Sequence, residues 1–318
     1  LMKAGTRLAL YAAALVALFI GAYAIAGAIV PDNVVKKWAR ASATHDGGSE
    51  AGDGADASAA ANQPARGTAV AASGYLLSPV AAPTSVGTSG DLSFQVLDAD
   101  GRPVTHYTTS HEKDLHLIVV RSDGANFRHV HPTLDQTTGT WSIPWSWSSG
   151  GTYRVYTDFE PVAENPRPVT LTRTLDVSGA FEPMTVSLTS ESEVDGYQVT
   201  AEGDVMAGST SMVTMTVSRE GEAVTTLEPY LGAFGHLVAL REGDLAYIHV
   251  HPEGDEPKPG ATAGPTIGFM VEAPTVGRYR LYLDFQVAGR VHTAEFVVEA
   301  HRGPTSASTT PHAETSGH

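Results

Sequence analysis

The sequence predicts an all-β protein made of two similar β-sandwiches in tandem behind one N-terminal transmembrane helix. Residues 101–132 align without a gap with residues 221–252, at an offset of 120 positions. Both copies contain short apolar runs of period two, separated by turns about every ten residues, which is typical of Greek-key sandwiches of the Ig-like or cupredoxin-like kind. An uncharged segment of 23 residues precedes them and is long enough to cross about 30 Å of hydrocarbon as a helix.

Composition along the chain predicts six segments. A short basic N-terminus precedes an apolar segment that we interpret as an uncleaved membrane anchor, although Ala22-Tyr23-Ala24 leaves cleavage as a signal peptide open. A segment rich in Ala, Gly, Ser and Asp predicts a disordered tether, and the C-terminus predicts a disordered tail. An additional strand is predicted over 181–190. In order, the segments are the N-terminus (1–7), the anchor (8–30), the tether (31–73), the first sandwich (74–178), the second sandwich (181–300) and the tail (301–318).

The arrangement of the N-terminus predicts where the chain is located. A short basic stretch followed at once by an apolar segment is the usual arrangement for export. We therefore expect a single-pass protein of the cell membrane, with the bulk of the chain outside the cytoplasm. If the apolar segment is cleaved, the protein is secreted instead.

Composition also excludes several classes of function. The chain of 318 residues has no cysteine and a formal net charge of −15. Without cysteine it cannot form a thiolate metal site, an iron–sulfur cluster or a blue-copper centre. The negative charge argues against a nucleic-acid partner, which would need clustered Lys and Arg. Because the sequence has no nucleotide-binding or hydrolase motif, we expect no enzymatic activity.

Each repeat contains one histidine, then an apolar hairpin, then the sequence His-Val-His-Pro. In the first repeat Asp123-Gly124 predicts a two-residue primed turn between two strands. That turn would place His129 opposite Ile118 and His131 opposite His116. Side chains alternate with period two along a strand, so the three imidazoles would share one face of the hairpin. A register shifted by one residue would separate them.

The second repeat predicts the same arrangement. Gly243-Asp244 occupies the matching turn position, and the same count places His236 opposite His251 with His249 beside them. Because all these histidines lie at strand ends, we expect each set at the rim of its sandwich. The candidate metal ligands are therefore His116, His129 and His131 in the first repeat, and His236, His249 and His251 in the second.

Three neutral imidazoles on a rigid hairpin form a workable site for a copper or zinc ion. The alternatives are a structural role, in which the histidines bond to backbone at the sandwich edge, and a ligand other than a metal. The fourth ligand is left open. Asp158 and Asp284 recur at matching positions, but an ion pair with arginine is favoured for both.

Two phrases of the sequence resemble a known group of proteins. The segments 111–121 and 129–132, and their counterparts 227–236 and 249–252, are similar to those of secreted or membrane-anchored tandem β-sandwich proteins of actinobacterial type. This resemblance covers about residues 1–300 and implies no settled function. The single units resemble, more loosely, the YtkA-like β domains that are linked with extracytoplasmic metal handling, which is an analogy at the level of the fold.

These observations predict a membrane-tethered extracytoplasmic protein whose two sandwiches each bind one copper or zinc ion. Its role would be metal capture, buffering or delivery to a protein partner in the cell envelope. The alternative is a non-enzymatic structural or interaction module of the cell envelope with structural histidines.

Overall fold

The computed structural model describes residues 67–163, 167–248, 250–258 and 260–303. Within these ranges the chain forms strands and turns and no helix, so the predicted all-β fold is confirmed. The predicted membrane helix, most of the predicted tether and tail, and His249 lie outside the described residues. None of the described segments is a helix long and apolar enough to cross a bilayer.

The first sandwich is built from ten short strands in two sheets. One sheet has the order β1-β2-β3-β8-β7 and the other β10-β9-β5-β6, with β4 beside β9. The strands are β1 (Ala71–Ala72), β2 (Tyr75–Leu77), β3 (Ser89–Leu97), β4 (Tyr107–Thr108), β5 (His116–Arg121), β6 (Arg128–Val130), β7 (Thr133–Asp135), β8 (Thr140–Ser146), β9 (Gly151–Pro161) and β10 (Val169–Val177).

The second sandwich repeats this plan. Its sheets have the orders β11-β12-β14-β19-β18 and β13-β21-β20-β16-β17, with β15 beside β14. The strands are β11 (Glu191–Val194), β12 (Tyr197–Glu202), β13 (Val205–Ala207), β14 (Thr210–Arg219), β15 (Glu222–Ala223), β16 (His236–Arg241), β17 (Tyr247–Ile248), β18 (Val250–Pro252), β19 (Thr266–Glu272), β20 (Gly277–Val287) and β21 (Arg290–Arg302).

Each sandwich has its own apolar core between its two sheets. Alternate residues of β3 point inward, and the indole rings of Trp141, Trp145 and Trp147 are almost completely buried against them. These tryptophans therefore belong to the core of the first sandwich. In the second sandwich β14 buries Val213, Met215 and Val217 with the same period.

A third apolar cluster lies between the two sandwiches. Strand β5 is buried on both faces: Leu117 and Val119 enter the first core, whereas Ile118 and Val120 face the second sandwich. There they pack in one cluster with residues of both repeats, which are Tyr156, Val238, Leu240, Leu245 and Tyr282. The outer faces of the sheets that contain β5 and β16 are thus covered by each other.

Two tyrosine hydroxyls join the sandwiches with nearly reciprocal hydrogen bonds. Tyr156 of the first repeat donates to the carbonyl oxygen of Leu245 at 2.5 Å, and Tyr282 of the second donates to the carbonyl oxygen of Gly124 at 2.6 Å. Both acceptors lie in the hairpin loop of the opposite repeat. The Tyr282 ring also stacks on Phe127 with centroids 4.0 Å apart. The two repeats therefore meet with approximate two-fold symmetry.

The first hairpin has the predicted register but not the predicted turn. Ile118 pairs with His129, as expected. The loop is longer than two residues, because the Arg121 amide donates to the carbonyl oxygen of Ala125 and the Gly124 amide donates to that of Arg121. Gly124 and Asn126 both have positive φ, 82° and 54°. The extra residue at Asn126 restores the register that a two-residue turn would have given.

The second hairpin also keeps its predicted register with a different loop. Ala239 pairs with Ile248 and Leu240 with Tyr247, whereas the amide of Leu245 donates to the carbonyl oxygen of Arg241 across a four-residue loop. Local turn chemistry alone therefore did not determine the turn type in either repeat.

The strand predicted over 181–190 is absent, and this prediction was wrong. The first part of the segment is held by side chains: the guanidinium of Arg121 donates to the carbonyl oxygen of Glu182 at 3.0 Å, and the amide of Met184 donates to Asp123 at 2.8 Å. Near its end Thr189 forms an isolated bridge with Val297 of β21 and does not extend it into a strand. Its alternating sequence fits a strand, but a strand also needs a sheet edge with which to pair.

We expect Tyr282→Phe to lower the free energy of unfolding by about 1–2 kcal/mol, because the buried carbonyl oxygen of Gly124 loses its donor. Urea unfolding of the two chains measures this difference. Tyr75→Phe, at a half-buried tyrosine whose ring packs on Phe159, is the control and should stay within about 0.5 kcal/mol of the parent. Equal losses in both variants would contradict a specific role of the Tyr282 hydroxyl.

Candidate metal centre

Three histidines of the first repeat converge on one point, as the hairpin register predicts. The Nδ1 atom of His116 lies 3.0 Å from Nε2 of His129 and 3.2 Å from Nε2 of His131. One ring nitrogen from each of the three lies within 4.8 Å of the other two. We call these residues the histidine trio. Nitrogens at such separations can hold one metal ion.

Each member of the trio is positioned by a different part of the hairpin. His116 is the first residue of β5. His129 lies in β6, opposite Ile118 of β5. His131 follows β6 directly, and Pro132 comes after it, where the chain leaves this sheet for β7 in the opposite sheet. Because proline lacks an amide hydrogen, it cannot continue the pairing with β5. The crossing point therefore fixes His131 at the end of the hairpin.

The acceptors around the trio determine where its protons are. Nε2 of His116 lies 3.2 Å from the carbonyl oxygen of Ser110, which can only accept, so Nε2 carries the proton. Nδ1 of His129 lies 2.8 Å from a carboxylate oxygen of Asp284 and carries its proton for the same reason. In the neutral rings, Nδ1 of His116 and Nε2 of His129 then face each other with lone pairs at 3.0 Å. A cation or an additional proton between them stabilises this contact.

Asp284 belongs to the second repeat, although it contacts a histidine of the first. It lies in β20, where its backbone pairs with that of His236. Its other carboxylate oxygen accepts a hydrogen bond from the hydroxyl of Thr293 at 2.6 Å. The preference for an ion pair with arginine was therefore wrong for Asp284. A carboxylate behind a histidine fixes the tautomer and the ring orientation in many metal sites.

The trio lies under the second sandwich and not at an exposed rim. His116 is 5% exposed, and the side chain of His129 is completely buried beside Asp284. The expectation of a rim position was wrong because it ignored the docking of the second repeat on this face. Solvent is nearest to the trio at His131, which lines a surface cavity of about 390 Å³ together with Glu112, Lys113, Asp114 and Thr133.

Burial keeps the rings of His116 and His131 neutral at ordinary pH. Loss of hydration, and after it the neighbouring ring of His129, lowers the pKa of His116 to about 3. Burial likewise lowers the pKa of His131 to about 3, with smaller effects of His129 and Lys113. Neutral imidazole is the form that binds metal ions. Protons therefore compete weakly for these two ligands near pH 7.

His236 lies against the trio of the first repeat. Its ring centroid is 5.5 Å from that of His116, with the planes 9° from parallel, and 4.8 Å from that of His129. Burial, followed by the imidazoles of His129 and His116, lowers its pKa well below the usual value. The repeat alone did not predict this contact between the two sets of histidines.

The other two predicted ligands of the second repeat are not brought together by the described structure. His251 is exposed in β18, where its backbone pairs with that of Met270 in the opposite sheet. His249 lies outside the described residues. Among the residues that the structure does describe, the trio is the one group of three or more ligands at metal-binding distance. The second site therefore stays a prediction.

Sequence reasoning did not assign the observed roles of three residues at or beside the centre. Ser110 acts through its backbone carbonyl group, which leaves no signal in the sequence, and Asp284 is 155 positions from the histidine that it contacts. His111 lies 5.7 Å from His236 by ring centroid. A signal for His111 exists in its backbone, since His111 and Glu112 both have positive φ, 49° and 62°. Non-glycine residues with this conformation are uncommon and often functional.

Comparison with known proteins places the chain in a family. A family model described as "Domain of unknown function (DUF8832)" matches it twice, at residues 71–178 and 192–302. The chain belongs to the DUF8832 family. The two matches correspond to the two sandwiches of the structure, so each DUF8832 domain here is one sandwich. No functionally curated protein matches the chain.

Solved structures similar to this chain include an integrin-binding protein, an adhesin and a fragment of CNTN1. Invasin, a bacterial integrin-binding protein, is 10% identical over 72% of this chain and 39% of its own, with a TM-score of 0.22. The adhesin InvE of Yersinia pseudotuberculosis is 13% identical over 70% of this chain and 57% of its own, with a TM-score of 0.20. The FN1–FN3 domains of chicken CNTN1 are 10% identical over 71% and 67%, with a TM-score of 0.19. This DUF8832 protein thus spans less than two thirds of invasin and of InvE, and likeness at this level says nothing about its activity.

We expect the metal-free protein to lose stability as the pH falls from about 6.5 towards 3. The pKa values of His116 and His131 are depressed in the folded state, so in this range the unfolded chain binds more protons and acid favours it. Each histidine contributes at most about 1.4 kcal/mol per pH unit. Urea unfolding at several pH values, with chelator present, measures the slope.

His131→Gln removes one of these groups and should reduce the dependence of stability on pH between about 6.5 and 4.5. His106→Gln is the control, because His106 is exposed and contacts Thr105. It should keep the slope of the parent. Parallel curves for His131→Gln and the parent would show that His131 has no depressed pKa.

Proposed function

We propose that this DUF8832 protein binds a copper or zinc ion at the histidine trio. The observation that carries the proposal is the convergence of ring nitrogens whose outer partners direct lone pairs inward. Ser110 and Asp284 accept from the far sides of His116 and His129, so the near sides are free to coordinate. Three ligands are thus in place, and the tautomers of His116 and His129 are fixed by outer hydrogen-bond partners, before any ion arrives.

The distances between the ring nitrogens of the trio support a single ion bound by all three histidines. Two nitrogens bound to the same ion at 2.0–2.1 Å are about 2.9 Å apart at a right angle and about 3.4 Å apart at the tetrahedral angle. The separations of 3.0 and 3.2 Å at His116 fall within these limits. Imidazole favours zinc and copper over magnesium and calcium, which prefer oxygen ligands.

We propose a role in metal capture, buffering or delivery outside the cytoplasm. The uncharged segment 8–30 supports a membrane tether, and the Gly- and Ala-rich stretch that follows it supports a flexible link. A protein partner in the cell envelope would receive or supply the ion at the side of His131, next to the surface cavity. The resemblance of each sandwich to YtkA-like domains agrees with this role but does not carry it.

A binding role is proposed in preference to catalysis. General base chemistry needs a carboxylate or histidine that is free to take a proton. Asp284, the carboxylate in contact with the trio, already accepts hydrogen bonds from His129 and Thr293.

The net charge of −15 supports the proposal that nucleic acid is not a partner.

A second candidate function is a structural or interaction module of the cell envelope without a metal. The observation in its favour is that the buried contact between His129 and Asp284 already joins the two sandwiches. In this case His129 would carry two protons, donating one to Asp284 and one to His116. The same geometry would then be an interdomain ion pair.

Calorimetric titration of the full-length chain with Zn²⁺ and Cu²⁺ separates the two candidates. We expect binding that is lost in His129→Ala with His131→Ala, because two of three ligands are removed. Asp284→Asn keeps all ligands but loses the carboxylate that orients His129, so it should weaken affinity about 10–100-fold. His106→Ala should bind like the parent. Affinity no tighter than about millimolar, or equal affinity in all four chains, would reject the metal site and favour the structural module.

A further inference from the structure

His236 is the histidine of the second repeat that the interface delivers to the trio. It begins β16, and its backbone pairs with that of Asp284 in β20. Asp284 in turn holds His129. The second repeat therefore supplies to the same place both the carboxylate behind one ligand and an additional imidazole.

Ring separations distinguish His236 from the other histidine nearby. Two imidazoles on one tetrahedral ion have centroids about 5 Å apart, given bonds near 2.0–2.1 Å. Within the trio the centroids are 5.0–5.3 Å apart. His236 lies 5.5 Å from His116 and 4.8 Å from His129, which is comparable. His111 lies 6.2 Å from His116 and is the more distant ring.

The trio leaves one coordination position for such a ligand. A tetrahedral ion needs four donors, and the hairpin supplies three. His236 is partly buried, and its ring packs against those of His116 and His129. No ring nitrogen of His236 lies within 4.8 Å of all three coordinating nitrogens of the trio. Coordination therefore requires a rotation of its ring while the backbone stays in place.

We propose that His236 is the fourth ligand, so that one ion is held between the two sandwiches by His116, His129, His131 and His236. This inference rests on the proposed function of the trio. It assigns His236 to a site shared by both repeats and not to a separate site in the second. Four nitrogens leave no open position for a substrate, which suits storage or buffering better than catalysis. Release of the ion would then require the interface to loosen.

Cobalt(II) titration of the full-length chain tests the coordination number. Cobalt replaces zinc in such sites, and its visible absorption is much stronger for four ligands in a tetrahedron than for five or six. We expect the parent to bind one Co²⁺ per chain with a strong tetrahedral band. His236→Ala should still bind one Co²⁺ through the trio with water in the fourth position. We expect its band to shift in wavelength and its affinity for Zn²⁺ to be at least about tenfold lower.

His106→Ala is the control, since it removes an exposed imidazole whose ring contacts Thr105 away from the trio. It should keep the band and the affinity of the parent. If His236→Ala does not fold, as judged by its circular dichroism, His236→Gln keeps a polar side chain at the interface and should show the same shift of the band and the same loss of affinity.

Three outcomes overturn the inference, and they differ from one another. A band and affinity like those of the parent in His236→Ala would leave the trio intact without a fourth histidine. Two ions per chain, of which His236→Ala loses one, would restore separate sites in the two repeats. No binding by the parent would reject the proposed function together with the inference.

Discussion

The contact between the outer faces of the sheets that contain β5 and β16 is the constraint on which the rest of the structure depends. Ile118 and Val120 are removed from water only because Val238 and Leu240 cover them. Burial of an aliphatic side chain of this size is worth about 1.5–3 kcal/mol. The hydrophobic effect therefore holds together two sandwiches that each have a core of their own. It also determines which polar residues lie at the edges of the contact.

Polar groups at the histidine end of this contact depend on the apolar part. Asp284 is 3% exposed, and a carboxylate buried to that degree is costly unless donors surround it. His129 and Thr293 supply those donors from two different repeats. Because water is largely excluded, electrostatic interactions are stronger here than at the surface. The same docking that buries the aliphatic side chains thus creates a place where a cation is favoured between facing lone pairs.

The sequence could predict what depends on local periodicity. Strand alternation, the buried tryptophans and the pairing of His129 with Ile118 follow from side chains that alternate along strands and from an approximate loop length. The predicted register was right although the predicted turn type was wrong. A shift of one residue would have moved the apolar residues of β5 and the histidines to the opposite face of the sheet. Both faces of β5 were visibly apolar, but a pattern does not say what covers the second face. The partnership of Asp284 with His129, and the position of His236, follow from docking between repeats and have no local signal.

The two repeats contribute unequally to this centre although their sequences match around the histidines. In both, two consecutive residues before the hairpin have positive φ, at His111 and Glu112 in the first repeat and at Leu231 and Gly232 in the second. Glycine adopts this conformation without strain, whereas a side chain there costs about 1–2 kcal/mol. The second repeat reduces that cost at Gly232, while the first keeps side chains at both positions, where His111 and Glu112 border the trio and its cavity. The first repeat thus keeps backbone strain at His111 and Glu112, next to the buried imidazoles. Such strain is expected where the chemistry of a side chain, and not its packing, determines which residue is used.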